Sequence, residues 1–152
     1  MTNDKLTGKR VLITGSSNGL GFAMARALGL NGASVLIVAR HANSLDKALK
    51  DLKDQQIDAY ALEMDVRSES SIMNAVKWVE KQWGTLDMLI NNAGIGMRTV
   101  NPHFLTEPKP FFEVSATGFR DLIDTNLTGY FLVAKAFVPF FTKQKKGKIV
   151  NI

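Results

Sequence analysis

Cysteine is absent from this chain, which excludes a disulfide framework, a thiolate nucleophile and any cysteine-built zinc site. Histidine is nearly absent, with only His41 and His103, so chemistry that needs several imidazoles has little to draw on. The N-terminal MTNDKLTGKR is polar, with no apolar core region, and reads as neither signal peptide nor membrane anchor. Long hydrophobic runs are missing too: the longest, about Phe131 to Phe141, is broken by Lys135 and Pro139 and is too short to span a bilayer. The expectation is a cytoplasmic protein with no membrane partner.

What is present fits one soluble globular domain. The chain has 152 residues, 45% of them hydrophobic and 22% charged, enough for a single core and unlike a disordered segment. The net charge of +5 raises the question of a polyanion. Four of the cations, Lys143, Lys145, Lys146 and Lys148, sit in KQKKGKI at the end of the last predicted helix. There they complement the helix dipole, and without interleaved aromatics they predict no nucleic-acid partner.

Apolar runs and amphipathic stretches alternate along the chain. RVLITG (10–15) and SVLIVAR (34–40) are short continuous apolar runs of buried-strand type, and DAYALEMD (58–65) and LDMLIN (86–91) continue the series. Between them lie GLGFAMARALGL, stopped by Gly32, NSLDKALKDLK (43–53) behind Asn43 or Ser44 as cap, and a helix carrying Ile72, Ala75, Val76, Val79 and Trp83, stopped by Gly84. Such βαβ alternation predicts a parallel sheet with helices on both faces. From Gly94 to Ser115 the sequence is irregular and holds Pro102, Pro108 and Pro110. A long helix from about Thr117 to Thr142 follows, and GKIVNI (147–152) reads as a fifth strand.

The chemistry concentrates in TGSSNGLG (14–21), where Gly15, Gly19 and Gly21 fall between strand and helix. A sharp exit from a strand tolerates Gly15, diphosphate oxygens approach closely where no Cβ intrudes, and the first helical N–H groups meet the anion. The spacing differs from Gly-x-Gly-x-x-Gly. Residues 15–19 also match the Gly-x-Ser-x-Gly elbow of serine hydrolases, with Ser17 as nucleophile. That elbow needs an oxyanion loop from an earlier strand, whereas only fourteen residues precede Gly15, and nothing in the sequence brings His41 or His103 to Ser17.

Four further stretches accompany the glycine turn: Asp65-Val66 after the third strand, NNAG (91–94) closing the fourth, NLTGYF from Asn126 in the long helix, and the final GKIVNI. Together with TGSSNGLG they resemble the short-chain dehydrogenase/reductase family over essentially the whole chain. The resemblance implies one doubly wound, Rossmann-type α/β domain with strand order 3-2-1-4-5, spanning 1–152 and incomplete at its C-terminus. It also implies that Gly15, Gly19 and Gly21 shape a diphosphate site which Ser16, Asn18 and Leu20 contact. By the same resemblance Asp65 binds the adenine amine and Val66 flanks the ring, while Asn92, Ala93 and Gly94 line the ribose and approach the nicotinamide. Taken alone, Asp65 reads as a turn carboxylate.

At the end of the second strand, where a carboxylate would hold the ribose 2′-OH of NAD, the sequence reads Ala39-Arg40. A guanidinium grips a 2′-phosphate bidentately, so NADP(H) is expected rather than NAD(H). His41 is read as an exposed loop residue beside it.

Asn126 stands mid-helix, where Asn is a poor residue without a reason. The resemblance implies a catalytic Asn-Ser-Tyr-Lys group in which Asn126 holds a water of the proton relay. The Tyr-x-x-x-Lys pair is not found: Tyr60 precedes Met64 by four, and Tyr130 precedes Ala134, with Lys135 about 140° away round a helix. The expectation is therefore an oxidoreductase moving a hydride between nicotinamide and a small carbonyl or alcohol substrate. Its catalytic Ser, Tyr and Lys are expected beyond residue 152, and these 152 residues alone are expected to be inactive. A truncated, non-catalytic dinucleotide-binding or interaction protein is the alternative. The resemblance further implies a homo-oligomer, dimer or tetramer, built on the helix face of Leu122, Phe131 and Phe137. NPHFLTEPKPFF (101–112) reads as an insertion beside the substrate entrance.

Overall fold

A computed structural model of the chain describes residues 5–152. Met1–Asp4, the start of the stretch read above as neither leader nor anchor, lie outside the described residues. Five strands, β1 (Arg10–Thr14), β2 (Ser34–Ala39), β3 (Ala59–Glu63), β4 (Met88–Asn91) and β5 (Lys148–Asn151), form one parallel sheet of order β3-β2-β1-β4-β5. The expected fold class and strand order both hold.

Strand periodicity explains how the core divides. Side chains of successive strand residues point to opposite faces. Leu12, Leu36 and Leu89 accordingly meet Ile72 and Val79 of α3 (Glu69–Gln82) and Val133 and Phe137 of α5 (Gly129–Gln144). Val11, Ile13, Val35 and Ile37 turn the other way, onto Ala25 of α1 (Gly19–Leu30) and Leu45 and Leu52 of α2 (Ala42–Lys53). Burial on both faces is why β1 and β2 read as unbroken apolar runs.

Helix ends follow local chemistry. Ser68 caps α3 by accepting from Ser71 N–H at 3.3 Å. The expected cap of α2 is corrected: His41 occupies that position with extended backbone and no side-chain bond, while Ser44 lies inside the first turn and donates to the His41 carbonyl at 2.9 Å.

The single long helix expected from Thr117 to Thr142 is two helices with a π turn between them. α4 (Ala116–Ile123) passes through Asp124–Thr128 into α5. Phe137 is fully buried against the sheet and leaves the surface set proposed for an oligomer, while Phe131 is exposed. Between β4 and α4 the chain forms turns and two short 3-10 segments, Met97–Thr99 and Phe111–Glu113. Asn101, buried there, donates to the Glu107 carbonyl at 2.8 Å and accepts from His103 N–H at 3.0 Å, giving the excursion its own order. Among the described residues no helix is long and apolar enough to cross a membrane.

Candidate functional site: a cleft at the carboxyl ends of the strands

The strand order reverses between β1 and β4, and the chain exits from both strands are locked together there. Thr14 Oγ1 accepts from the N–H groups of Asn92 and Ala93, each at 2.9 Å. Asn92 Nδ2 returns the connection, donating to the carbonyls of Thr14 (2.9 Å) and Gly15 (3.0 Å). Gly15 has φ +62°, and a Cβ there would lie 2.7 Å from Ala93 Cα, so only glycine permits this approach.

Above this floor α1 begins. Its N-cap Asn18 has extended backbone and makes no side-chain cap, and no acidic residue occupies the first turn. The positive end of the helix is thus not neutralised by its own side chains. Gly19 has φ +54°, and a Cβ built on it meets nothing within 4 Å, which leaves open space at the helix entry. Gly21 differs: a side chain there would collide with the Gly15 carbonyl, with Asn92 Nδ2 at 2.6 Å and with Ser16 Cα at 2.8 Å. One glycine keeps a cradle bare, and the other lets the helix rest on the strand exits.

The cleft formed here has a volume of about 340 Å³. It is walled by Gly15 and Ser17–Gly21 of the glycine turn, Ala39 at the end of β2 with Arg40 and His41 after it, and Met64 and Val66 after β3. Asn92–Ile95 after β4 and Thr125 of the π turn close it. No Asp or Glu is in that lining. Of the residues expected to meet a dinucleotide, Gly15, Asn18, Gly19, Leu20, Gly21, Arg40, Val66, Asn92, Ala93 and Gly94 are brought together.

Three of the expected residues have intramolecular partners of their own. Ser16 is fully buried, its hydroxyl donating to the Ile13 carbonyl (2.6 Å) and accepting from Val38 N–H (3.0 Å), so it ties β1 to β2 and Ser17 takes the cleft-facing place. Asp65 is outside the lining: its carboxylate accepts from Arg67 Nη2 (2.9 Å), Nε (3.2 Å) and backbone N–H (2.9 Å). Those Arg67 bonds hold the Asp65 carboxyl below the usual carboxylate range, against the opposing effect of burial. Asn126 spends its amide on Ile95, Oδ1 accepting from the N–H and Nδ2 donating to the carbonyl, both at 2.9 Å. Its side chain thereby positions the main chain at the exit of β4.

Sequence reasoning missed Thr125, which lines the cleft and whose buried hydroxyl has no hydrogen-bond partner among the described residues. A Thr in an apolar helical stretch gives no signal of that kind. It also read Ser17 only as a hydrolase nucleophile. His41 does line the same cleft, yet no Ser17–His41 bond forms and no acid in the lining orients the imidazole, so no triad is built. Tyr130 donates to the Ile152 backbone oxygen at 2.9 Å, and burial pushes its hydroxyl pKa up, which suits a structural phenol. A larger groove of about 620 Å³ runs between α3 and α5, but it shares no residue with the glycine turn.

A parallel sheet of this order, with a glycine turn feeding an uncapped helix at the switch point, defines a Rossmann-type α/β fold. The chain belongs to the short-chain dehydrogenase family, whose pattern, described as short chain dehydrogenase, matches residues 9–152. It is similar to 5-keto-D-gluconate 5-reductase of Escherichia coli, 37% identical over 147 residues, covering 97% of this chain and 54% of the relative. It is likewise similar to 2-dehydro-3-deoxy-D-gluconate 5-dehydrogenase of Formosa agariphila, 35% identical over 146 residues, covering 95% and 52%. The chain thus spans about half the length of the curated relatives it matches. Among solved structures, a metagenomic short-chain oxidoreductase in complex with NADP superposes with a TM-score of 0.84 at 30% identity, covering 96% of this chain and 62% of that one. An NAD+-bound xylitol dehydrogenase gives 0.86 at 28%, covering 97% and 53%.

Proposed function

We propose that these residues form the NADP(H)-binding part of an oxidoreductase that transfers hydride between nicotinamide and a carbonyl or alcohol carbon of a small molecule. The observation that carries the reading is the bare cradle at Gly19, open for at least 4 Å beside an uncapped helix start, in a cleft with no acidic residue. The names of the relatives, keto-sugar-acid reductases and dehydrogenases, support the same class of reaction.

The residues present fit such a coenzyme. Gly15, Gly19 and Gly21 keep side chains away from the diphosphate, and the α1 N-terminus with Ser17, Asn18 and Leu20 receives it. Met64 and Val66 offer an apolar seat for the adenine, and Asn92, Ala93 and Gly94 form the floor towards the nicotinamide. Arg40 selects the 2′-phosphate as a cation at the end of β2 with no carboxylate beside it in the lining. Asn126 fixes the Gly94–Ile95 edge. The bound coenzyme supplies the hydride, while the chain binds, orients and excludes water. In a protein of the relatives' length, the catalytic Ser and the Tyr-x-x-x-Lys pair come from residues that follow β5.

Calorimetric titration of the full protein with NADPH and NADH tests this. The expected result is tighter NADPH binding, weakened about tenfold or more by Arg40→Glu with NADH little changed. Failure to bind either coenzyme overturns the reading, and an unchanged NADPH/NADH ratio in Arg40→Glu overturns the preference.

A further inference from the structure

The exits of β2 and β3 run side by side. Ala39 pairs with Glu63, and Met64 N–H donates to the Ala39 carbonyl at 2.9 Å, so Arg40 leaves the sheet beside Met64, the residue before Asp65. Arg40 and Met64 both line the cleft, whereas Asp65 and Arg67 do not. A cation and a carboxylate on neighbouring exits attract one another. Here they stay apart. The Arg40 guanidinium makes no hydrogen bond or ion pair among the described residues, while the Asp65 carboxylate is closed by Arg67 through its backbone N–H (2.9 Å), Nε (3.2 Å) and Nη2 (2.9 Å).

The surroundings hold that pair in place. Asp65 N–H donates to Ser71 Oγ of α3 at 3.1 Å, and Ser68 N–H donates to the Asp65 carbonyl at 3.1 Å. Arg67 also reaches across to α4, its Nη1 standing 3.7 Å from Asp121 Oδ1. The Asp65 carboxyl is lowered chiefly by the Arg67 hydrogen bond and, to a lesser extent, by the charge of Arg40, so the two exits are within electrostatic reach. NADP differs from NAD by a 2′-phosphate, a group of about two negative charges. An open carboxylate at Asp65 would compete for the Arg40 guanidinium and repel that phosphate; a carboxylate already closed by Arg67 does both more weakly.

Resting on the cleft reading above, we propose that Arg67 is a positioning residue for coenzyme choice: from outside the cleft it closes the Asp65 carboxylate, and so leaves Arg40 free to receive the 2′-phosphate.

The full protein, Arg67→Gln, Asp65→Asn and the double variant are titrated calorimetrically with NADPH and NADH at low and high salt. Arg67→Gln should weaken NADPH about three- to tenfold and NADH less than about twofold, and the loss should shrink at high salt. Asp65→Asn should bind NADPH at least as tightly as wild type. Added to Arg67→Gln, it should restore NADPH affinity, because the repelling carboxylate is gone. Retained NADH binding shows that a variant is folded. Should Arg67→Gln not fold, an NADPH/NADH affinity ratio in Asp65→Asn at or above that of wild type supports the proposal, and a lower one overturns it. A ratio untouched by Arg67→Gln overturns it, as does a double variant no tighter than Arg67→Gln. Equal weakening of both coenzymes by Asp65→Asn overturns it too, because the carboxylate then serves the part that they share. A ratio that responds to Arg40→Glu but not to Arg67→Gln removes this inference alone. A ratio that responds to neither removes the preference as well, and no binding of either coenzyme removes the cleft reading and this inference with it.

Discussion

Asn126 and Ile95 are joined through both backbone groups of the isoleucine, the asparagine amide accepting from its N–H and donating to its carbonyl at 2.9 Å each. A side chain in the middle of a helical stretch thereby holds the exit of β4. Asn126→Ala should cost about 1–3 kcal/mol, since two partly buried main-chain groups lose their partners. Asn126→Asp should be no milder, because it keeps the acceptor but sets a carboxylate against the Ile95 carbonyl. Urea unfolding midpoints with an unchanged slope check both.

Gly19 and Gly21, two residues apart, should fail in different ways when changed to alanine. At Gly19 the new methyl meets only space, and the positive φ costs about 1–2 kcal/mol, so folding survives and coenzyme affinity falls. At Gly21 the methyl strikes backbone, and the protein should be severely destabilised. Thermal unfolding with and without NADPH separates the two: Gly19→Ala keeps most of its melting temperature but loses most of the ligand-induced rise.

Thr125 carries a buried hydroxyl with no hydrogen-bond partner among the described residues. Thr125→Val keeps the shape and removes the unmet polar group, and should stabilise the free protein by about 1 kcal/mol. If that hydroxyl serves a bound coenzyme, the same variant should bind NADPH less tightly. A higher melting temperature alone together with a smaller NADPH-induced shift is the expected pair of readings.

The Asp65–Arg67 pair sets an acid-side dependence. Its carboxyl is held below the usual range, chiefly by the Arg67 hydrogen bond. Its stabilisation is therefore complete above the unfolded carboxylate pKa of about 3.9 and is lost as pH falls through the lower folded value. The difference in melting temperature between wild type and Asp65→Asn should be flat from about pH 7 to 5 and shrink below about pH 4. Both side chains are about one-third exposed, so the effect should be modest and should fall with added salt.

Legibility in the sequence followed the range of the cause. The buried runs VLI of β1 and VLIV of β2, the stops at Gly32 and Gly84 and the glycine turn are local signals, and each stands where it was expected. The π turn at Asp124–Thr128 was not legible, because what surrounds it, the Ile95 bonds and the close approach of Gly129 to Val66, comes from distant chain. Phe137 and Phe131 look alike in sequence and part company only once the helix has a phase against the sheet. Ser16 and Ser17 are adjacent and chemically identical; which of them faces the cleft depends on Val38 of the neighbouring strand.

That π turn also acts as a phase shifter. A single wide turn admits one residue more than regular winding would, and one residue is worth about 100° of rotation. Deleting one residue between Asp124 and Thr128 would restore an uninterrupted α-helix, yet would swing Val133 and Phe137 off the sheet or carry Gly118 away from the Thr99–Val100 backbone it packs against. The upstream and downstream faces are thus set independently, and the chain should tolerate insertions and deletions poorly at this joint.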